Sequence, residues 1–375
     1  MCVRSIGMRL LLAVVLSAGG VACLTSAAPA KGAGSSAVAA DQPHLPDAVP
    51  RVGAIHRGAG GKIEIIDPTA ESGKPGSPCA KGTICVGKGQ AYETLAAALA
   101  AAREGDVLDI VAGLYRESAR IAVRGVTLRG VSGVPHFDCA GLHLVSDKAC
   151  LLLAANDVTI ENIEISGAEL SEGVGANGAC IRNEPNMSFT LRRLVCHGSQ
   201  DGILSDGGNI LIENSEFYDN GWTDRTHNVY FGGNCSVTVR GSVFRDARIG
   251  HEFKSRCAET TIFDSTFRST KGSRDLDIPD GGDTKIYRST LEKTRGAQNY
   301  EIIGFAAESC IHPGDLLLKD VVIINAQPEA DIRNYDKCEG HPIIIDGMTV
   351  KGVAPRELGY IKTATTVSGR PAPER

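Results

Sequence analysis

The chain is poor in aromatic residues. Phe, Trp and Tyr together make up 5% of 375 residues, with a single Trp, and there are only four Met. A core built from so few rings must rest on Ile, Val and Leu, and the hydrophobic fraction of 42% is large enough to supply one. Basic excess is also missing: 39 Lys and Arg stand against 44 Asp and Glu, a net charge of -5. That balance argues against a nucleic-acid binder, which shows a basic face or stripe. No Cys-x-x-Cys pair occurs, which removes the usual zinc-ribbon spacing. No apolar run reaches the roughly 20 residues that cross a bilayer.

The longest apolar run, Leu10 to Leu16, follows Arg4 and Arg9 and precedes small residues through Ala30. This order of charged, apolar and small-residue regions is that of a secretory signal over residues 1–30, cleaved after Ala28 or Ala30. A lipid anchor on Cys23 is the rival reading, against which Gly20 stands where such signals usually carry Leu. The expected location is therefore periplasmic or secreted. Residues 31–60, rich in Gly, Ala, Ser and Pro, read as a flexible linker. Ten cysteines remain beyond the signal, an even number that suits disulfides in an oxidising compartment. Connectivity is not fixed by spacing. Pairing neighbours in order gives Cys79–Cys85, Cys139–Cys150, Cys180–Cys196, Cys235–Cys257 and Cys310–Cys338.

What the chain has in abundance is glycine, 44 residues or about 12% against a usual ~7%, and a repeat. After a short Ala- and Leu-rich helix within Glu93–Arg103, segments recur as apolar, any, apolar, any, turn. They include VTLRGV, VTIENIEI, FTLRRLVC, LIENSEFY, VTVRGSVF, TIFDSTFR, KIYRSTLE, LLKDVVII and IIDGMTV. Their second apolar anchors are Leu128, Ile160, Leu191, Ile212, Val239, Ile262, Ile286, Leu318 and Ile345, a span of 217 residues in eight intervals with a mean near 27. Such strands are too short to stand alone. Stacked about 4.8 Å apart they pair in parallel and bury one side chain in two. Asn162, Asn214, Asp264 and Asp320 fall near the bends, where Asx residues tolerate left-handed backbone. A parallel β-helix over about 61–353 follows, with residues 354–375 as a loose tail and a monomer as the expected state. Leucine-rich repeats, of similar period, would need a dense Leu-x-x-Leu-x-Leu pattern that is absent.

The stretch from Tyr92 to Gly130, a capping helix followed by GDVLDIVAGLYRES and IAVRGVTLRG, resembles the opening of pectin-lyase-like right-handed parallel β-helix proteins, and the resemblance runs from about Thr83 to Val350. It implies an all-β solenoid with a short N-terminal capping helix. It says little about activity, because this fold hosts lyases, hydrolases, epimerases and non-catalytic adhesins.

Polar residues concentrate in three coils: THNVYFGG (226–233), IGHEFKSRC (249–257) and SRDLDIPDGGD (273–283). Strand alternation turns Val229, Phe231, Phe253, Ser255, Leu276 and Ile278 inward. Asn228, Tyr230, Glu252, Lys254, Arg256, Asp275 and Asp277 are then expected outward as one exposed patch, flanked by Arg182 and Glu301, with His227, His251 and Arg274 at the strand starts. Such a patch suits an acidic polysaccharide as partner. β-Elimination from a uronate needs its carboxylate neutralised, a base for the C5 proton and an acid for the leaving oxygen. Lys254 and Arg256, roughly 6.6 Å apart along a strand, are similar to the Lys/Arg arrangement of β-helical lyases acting on alginate and dermatan. That resemblance implies Lys254 as base and Arg256 as carboxylate clamp, with His251, Tyr230 and His227 as alternative bases. Asn228, Arg182, Arg274 and Glu252 are expected to bind substrate. Those lyases also use calcium, for which Glu252, Asp275 and Asp277 offer hard oxygen ligands.

Two departures are visible. The DPHD segment of β-helical mannuronan C5-epimerases is absent. Gly250-His251 and Lys254-x-Arg256 are similar to polygalacturonase motifs, but the paired aspartates of those hydrolases are missing, and Asp201 and Asp206 are too scattered to replace them. A polysaccharide lyase is thus the leading reading. A non-catalytic polysaccharide-binding or envelope β-helix is the alternative from another class, since alternating Glu, Lys and Arg also make a solvated face of cross-strand ion pairs.

Overall fold

The computed structural model describes residues 78–356 and Leu358 in full, and the strands Ile55–Arg57, Ile63–Ile65, Tyr360–Ile361 and Thr366–Val367 by their backbone alone. The expected signal peptide and most of the expected linker lie outside the described residues. Ile55–Arg57 and Ile63–Ile65 pair antiparallel. The other described strands stack in parallel as three columns, visited in turn by each coil, and these columns are three sheets around one core.

The first sheet runs from Ile84–Val86 through Val107–Val111, Thr127–Val131 and Val158–Glu161 to the opening of Ile343–Gly352. Within it Leu108, Leu128, Ile160, Leu191, Ile212, Val239, Ile262, Ile286, Leu318 and Ile345 are register partners from coil to coil. Every anchor read from the repeat therefore sits directly above the next. The second sheet stacks Phe137, Ile165, Cys196, Phe217, Phe244, Phe267 and Leu291 in the same way. Phe217, Phe244 and Phe267 lie with ring centroids 5.2 and 5.1 Å apart, so three of the nine phenylalanines form one stack along the second sheet. The third sheet contributes Ile181, Ile203, Val229, Phe253, Leu276 and Ile303. Each such fully buried side chain contributes roughly 1.5–3 kcal/mol.

The bend from the first to the second sheet is the same in coil after coil. It places one residue in left-handed backbone: Asn162 (φ 55°), Arg193 (48°), Asn214 (49°), Gly241 (56°), Asp264 (50°), Arg288 (48°) and Asp320 (53°). The Asx residues expected at bends are there, and two arginines share the position. Left-handed backbone costs an ordinary residue roughly 1–2 kcal/mol. Both arginines have partners to offset it: Arg193 pairs with Glu161, and Arg288 Nε lies 2.9 Å from Asp264. Inside the bend runs a ladder of buried serines. Ser215 N–H donates to Ser242 Oγ (3.1 Å), Ser242 N–H to Ser265 Oγ (3.2 Å) and Ser265 N–H to Ser289 Oγ (3.1 Å). Each hydroxyl in turn donates to a carbonyl two residues back.

Helix Leu95–Ala101 covers the first coil with buried Leu95, Ala98 and Leu99. Thr94 Oγ1 accepts from Ala97 N–H, and Glu117 accepts from Leu95 N–H (2.8 Å) and Ala96 N–H (3.3 Å), so its first turn is satisfied. All five cysteine pairs taken in chain order are disulfides. Within the residues read as a tail, Tyr360–Ile361 pairs with Ile344–Ile345, and Thr366–Val367 with Thr349–Val350.

Removing one rung of the ladder leaves Ser242 N–H buried without an acceptor. Ser265→Ala is expected to lower the unfolding free energy by about 1–3 kcal/mol, measured by equilibrium urea denaturation; an unchanged midpoint would show that the ladder contributes nothing.

Candidate functional site

The outer face of the third sheet carries the candidate site. Its register sets Arg182, Leu204, Tyr230, Lys254, Asp277, Gly304 and Arg333 in one outward row across successive coils. Arg182, Asp201, Leu204, His227, Tyr230, Lys254 and Arg256 line a cleft of about 750 Å³. Residues 172–177 and 223–226, in the bends that lead into this sheet, complete its lining. Beneath the floor, Phe231 and Phe253 pack at 5.2 Å, and Phe253 meets Phe244 edge-on at 5.3 Å. Gly232 leaves room for the Tyr230 ring, because a Cβ there would stand 2.7 Å from Tyr230 Cε1.

Alternation placed Tyr230, Lys254 and Arg256 correctly. It failed for Asn228, Glu252 and Asp275, which are fully buried rather than part of an exposed patch. They occupy the corner where the second sheet turns into the third, and there the chain folds strand-start side chains inward. Asn228 Oδ1 accepts from Asn220, while its Nδ2 donates to the Arg245 carbonyl (2.9 Å) and to Glu252 (2.5 Å). Glu252 also accepts from Ala247 N–H. Burial, and then the nearby Asp275, push the Glu252 carboxyl well above its usual range. Asp275 itself is pushed up to about 7 by burial, opposed by Lys293 and Ser269. These groups form a polar spine inside the corner, and Asn228 and Glu252 are out of reach of a substrate.

Asp277 lies in the outward row yet is also fully buried, roofed by cations. Its Oδ1 accepts from Arg274 Nη1 at 2.6 Å, and its Oδ2 lies 3.1 Å from Lys254 Nζ and 3.3 Å from His251 Nε2. Burial alone would raise its pKa, but His251, Lys254 and Arg274 outweigh that and hold it at about 2. Arg274 is further tied to Glu301, and its Nη2 donates to Tyr335 Oη at 3.1 Å. The expected calcium set does not fit. Glu252 and Asp275 face the interior, Asp277 is fully buried against Arg274, Lys254 and His251, and the three carboxylates do not gather into one cluster that could share an ion.

His227 and His251 stack at 4.9 Å with Nδ1 of each engaged by the following coil. His251 N–H donates to His227 Nδ1, and Arg274 N–H to His251 Nδ1, both at 3.1 Å. Gly250 makes this stacking possible, since any Cβ there would sit 2.0 Å from the Thr226 carbonyl oxygen. Burial lowers His251 to about 4, against the pull of Asp277, and holds His227 well below the usual imidazole value. Both rings are therefore neutral at pH 7, with the proton on Nε2. Neither has a free lone pair, and both are corrected from candidate bases to hydrogen-bond donors. Lys254 is tied into ion pairs with Asp277 and, at 3.3 Å, with Glu308, a setting that suits a clamp better than the expected base.

Three further carboxylates matter here, and of these only Glu308 lies outside the residues singled out from the sequence. Glu308 bridges Lys254 and Arg256, with Oε2 2.5 Å from Arg256 Nη2. Asp280 holds the other side of Arg256 at 2.8 Å. Asp201 accepts from His227 N–H at 2.8 Å through Oδ1, and its buried Oδ2 has no hydrogen-bond partner. Burial raises the Asp201 pKa well above the carboxylate range against the opposing charge of Arg182. Arg182 enters no ion pair among the described residues. Trp222, which precedes the cleft-lining Thr223 in the chain, is half exposed.

Residues 117–291 match the family model for the right handed beta helix region. The chain folds as a right-handed parallel β-helix, as the resemblance implied. Among solved structures it is similar to pectin methylesterase from Aspergillus niger, with 16% identity over 59% of this chain and 81% of that one and a TM-score of 0.40. It is also similar to ORF18 of Geobacillus virus E2 (12% identity, 73% and 56% covered, TM-score 0.44) and to a pectate lyase (13%, 73% and 72%, 0.37). The chain spans just over half the length of the virus protein. Likeness at this level carries nothing about activity. No curated protein matches the chain. Among the described residues no helix is long and apolar enough to cross a membrane, and five disulfides fit an extracellular or periplasmic compartment.

Two carboxyls of this region respond to pH in opposite directions. Glu252 keeps its proton on folding, so its contribution to stability is complete below its unfolded value of about 4.5 and is lost as pH rises above that. Glu252→Gln is expected to remove this loss, so that its melting temperature gains on the wild type steadily from pH 5 to 7; a constant difference would sink the assignment. Asp277 is ionised on folding, and its contribution is present above about 3.8 and lost as pH falls toward 2. Asp277→Asn is expected to cost about 3–5 kcal/mol at pH 7. In urea melts this deficit should narrow between pH 4 and pH 2.

Proposed function

We propose that this protein is an exported enzyme that cleaves uronate-containing polysaccharide by β-elimination. The observation that carries the proposal is the seat of Glu308. Lys254 and Arg256 hold this one half-exposed carboxylate between them at the cleft, at 3.3 and 2.5 Å. A hexuronate carboxylate offers the same two oxygens, and taking that seat would neutralise it and acidify the C5 proton.

In this reading Lys254 and Arg256 are the clamp and Arg182 a further cation for the neighbouring sugar. Tyr230, whose ring stands 5.9 Å from His227, acts as the phenolate, its own proton released to water beforehand, and takes the C5 proton on that oxygen. The electron pair left at C5 forms the C4–C5 double bond as the C4–O bond breaks. Asp201, kept protonated by burial, gives its proton to the departing oxygen. Asp277 and Asp280 balance the clamp from behind. Exposed Trp222 offers a face for a sugar ring. Hydrolysis by a carboxyl pair is less well supported, because Glu252 and Asp275 lie in the corner spine and Asp280 is engaged by Arg256. The reading from another class, a non-catalytic polysaccharide-binding β-helix, draws on the ion pairs already made by both clamp residues.

Proton NMR of the mature protein with a panel of acidic and neutral polysaccharides in D₂O tests this. Signals of an unsaturated uronate are expected with an acidic polymer, and Tyr230→Phe should cut their rate by about 10²–10⁴-fold with little change in binding. Glu308→Gln should bind the acidic chain more tightly. Deuterium at C5 without cleavage would make it an epimerase, and reducing ends alone a hydrolase. Spectra unchanged across the acidic panel would overturn the enzyme reading.

A further inference from the structure

A second constellation lies on the second sheet and plays no part in the cleft. His136, Glu164 and His197 sit on the strands His136–Asp138, Glu164–Ser166 and Val195–His197, which are neighbours in three successive coils. Phe137, Ile165 and Cys196 fill the inward places of these strands. His136, Glu164 and His197 therefore share the outward side, and one ligand atom from each lies within 4.8 Å of the others. All three are half-buried, open enough for an ion to enter and enclosed enough to hold it.

The rings are held rather than free. His136 Nε2 is 2.8 Å from Ser166 Oγ, His197 Nε2 is 3.0 Å from Glu164 Oε1, and His197 stacks on Tyr218 at 4.8 Å. Asp138, on the same strand as His136, is engaged by Arg116 at 2.6 Å. Two imidazoles and one carboxylate are the donor set of first-row divalent transition metals. They suit calcium or magnesium poorly, since these ask for six or more oxygens. Zinc–nitrogen and zinc–oxygen bonds of about 2.0–2.2 Å put ligand atoms somewhat closer together than 4.8 Å, and small side-chain rotations on an open face supply that closure.

We propose that His136, Glu164 and His197 bind a divalent transition metal of the zinc class, clipping three coils together on a face where no disulfide does so. The ion adds no step to the cleft chemistry, so the proposal stands or falls independently of the enzyme reading.

The test uses the full mature protein, stripped with EDTA and dialysed, with zinc chloride titrated by calorimetry and cobalt chloride followed by its visible d–d absorption. One equivalent is expected to bind, and zinc should raise the melting temperature of the wild type. Glu164→Gln keeps the shape of the side chain and a hydrogen bond to His197, so its melting temperature in EDTA should match the wild type while its zinc affinity falls by at least about 10–100-fold. His136→Gln should behave alike, and the exposed His143→Ala should bind as the wild type does. No stoichiometric binding by the wild type, or binding that survives both Glu164→Gln and His136→Gln, would overturn the proposal. In that event the residues form a hydrogen-bonded surface ladder only.

Discussion

The structure depends on one constraint: each coil must return directly above the last. Parallel strands 4.8 Å apart tolerate no drift, and two features prevent it at the same bend. One residue in left-handed backbone turns the chain sharply, and a buried serine just after it accepts an N–H from the neighbouring coil. Because these bonds run along the solenoid axis, a coil that slipped by a residue would orphan a buried donor. It would also turn its Ile, Val or Phe out of the core. The aliphatic and Phe stacks follow from that register.

The bend before the third sheet obeys no such rule, and the candidate cleft lies there. Its excursions differ from coil to coil, and residues 172–177 and 223–226 within them line the cleft. A solenoid can accept such insertions because each coil answers only to its neighbours. The regular bend supplies rigidity, and the irregular one supplies shape.

The same corner sets the electrostatics. Asp275 and Asp277 are two residues apart on one strand and both fully buried, yet one is pushed up to about 7 and the other held at about 2. Asp275 faces the corner spine, where Glu252 competes for the same protons. Asp277 faces Lys254, His251 and Arg274. That difference leaves Asp277 as a fixed anion buried beneath Lys254 and Arg274.

The fold was legible because its cause is periodic. Anchors about 27 residues apart on average located the first sheet, and Asx residues near the bends marked where the chain turns. The serines of ENSEF, RGSVF, FDSTF and YRSTL were equally readable as a ladder and simply went unread. Tyr230, Lys254 and Arg256 were legible by the two-residue period of a strand. That period ends where the strand ends, so it sent Asn228, Glu252 and Asp275 outward when the corner turns them in. Sequence could not rule His227 and His251 out as bases, because the N–H groups that occupy their Nδ1 atoms come from the next coil. Glu308 and Asp201 show the limit most clearly. Local pattern determined which side chains line each strand, but only the stacking of coils brings Glu308 to Arg256, 52 residues away in the chain, and only burial in the tertiary structure raises the Asp201 pKa above the carboxylate range.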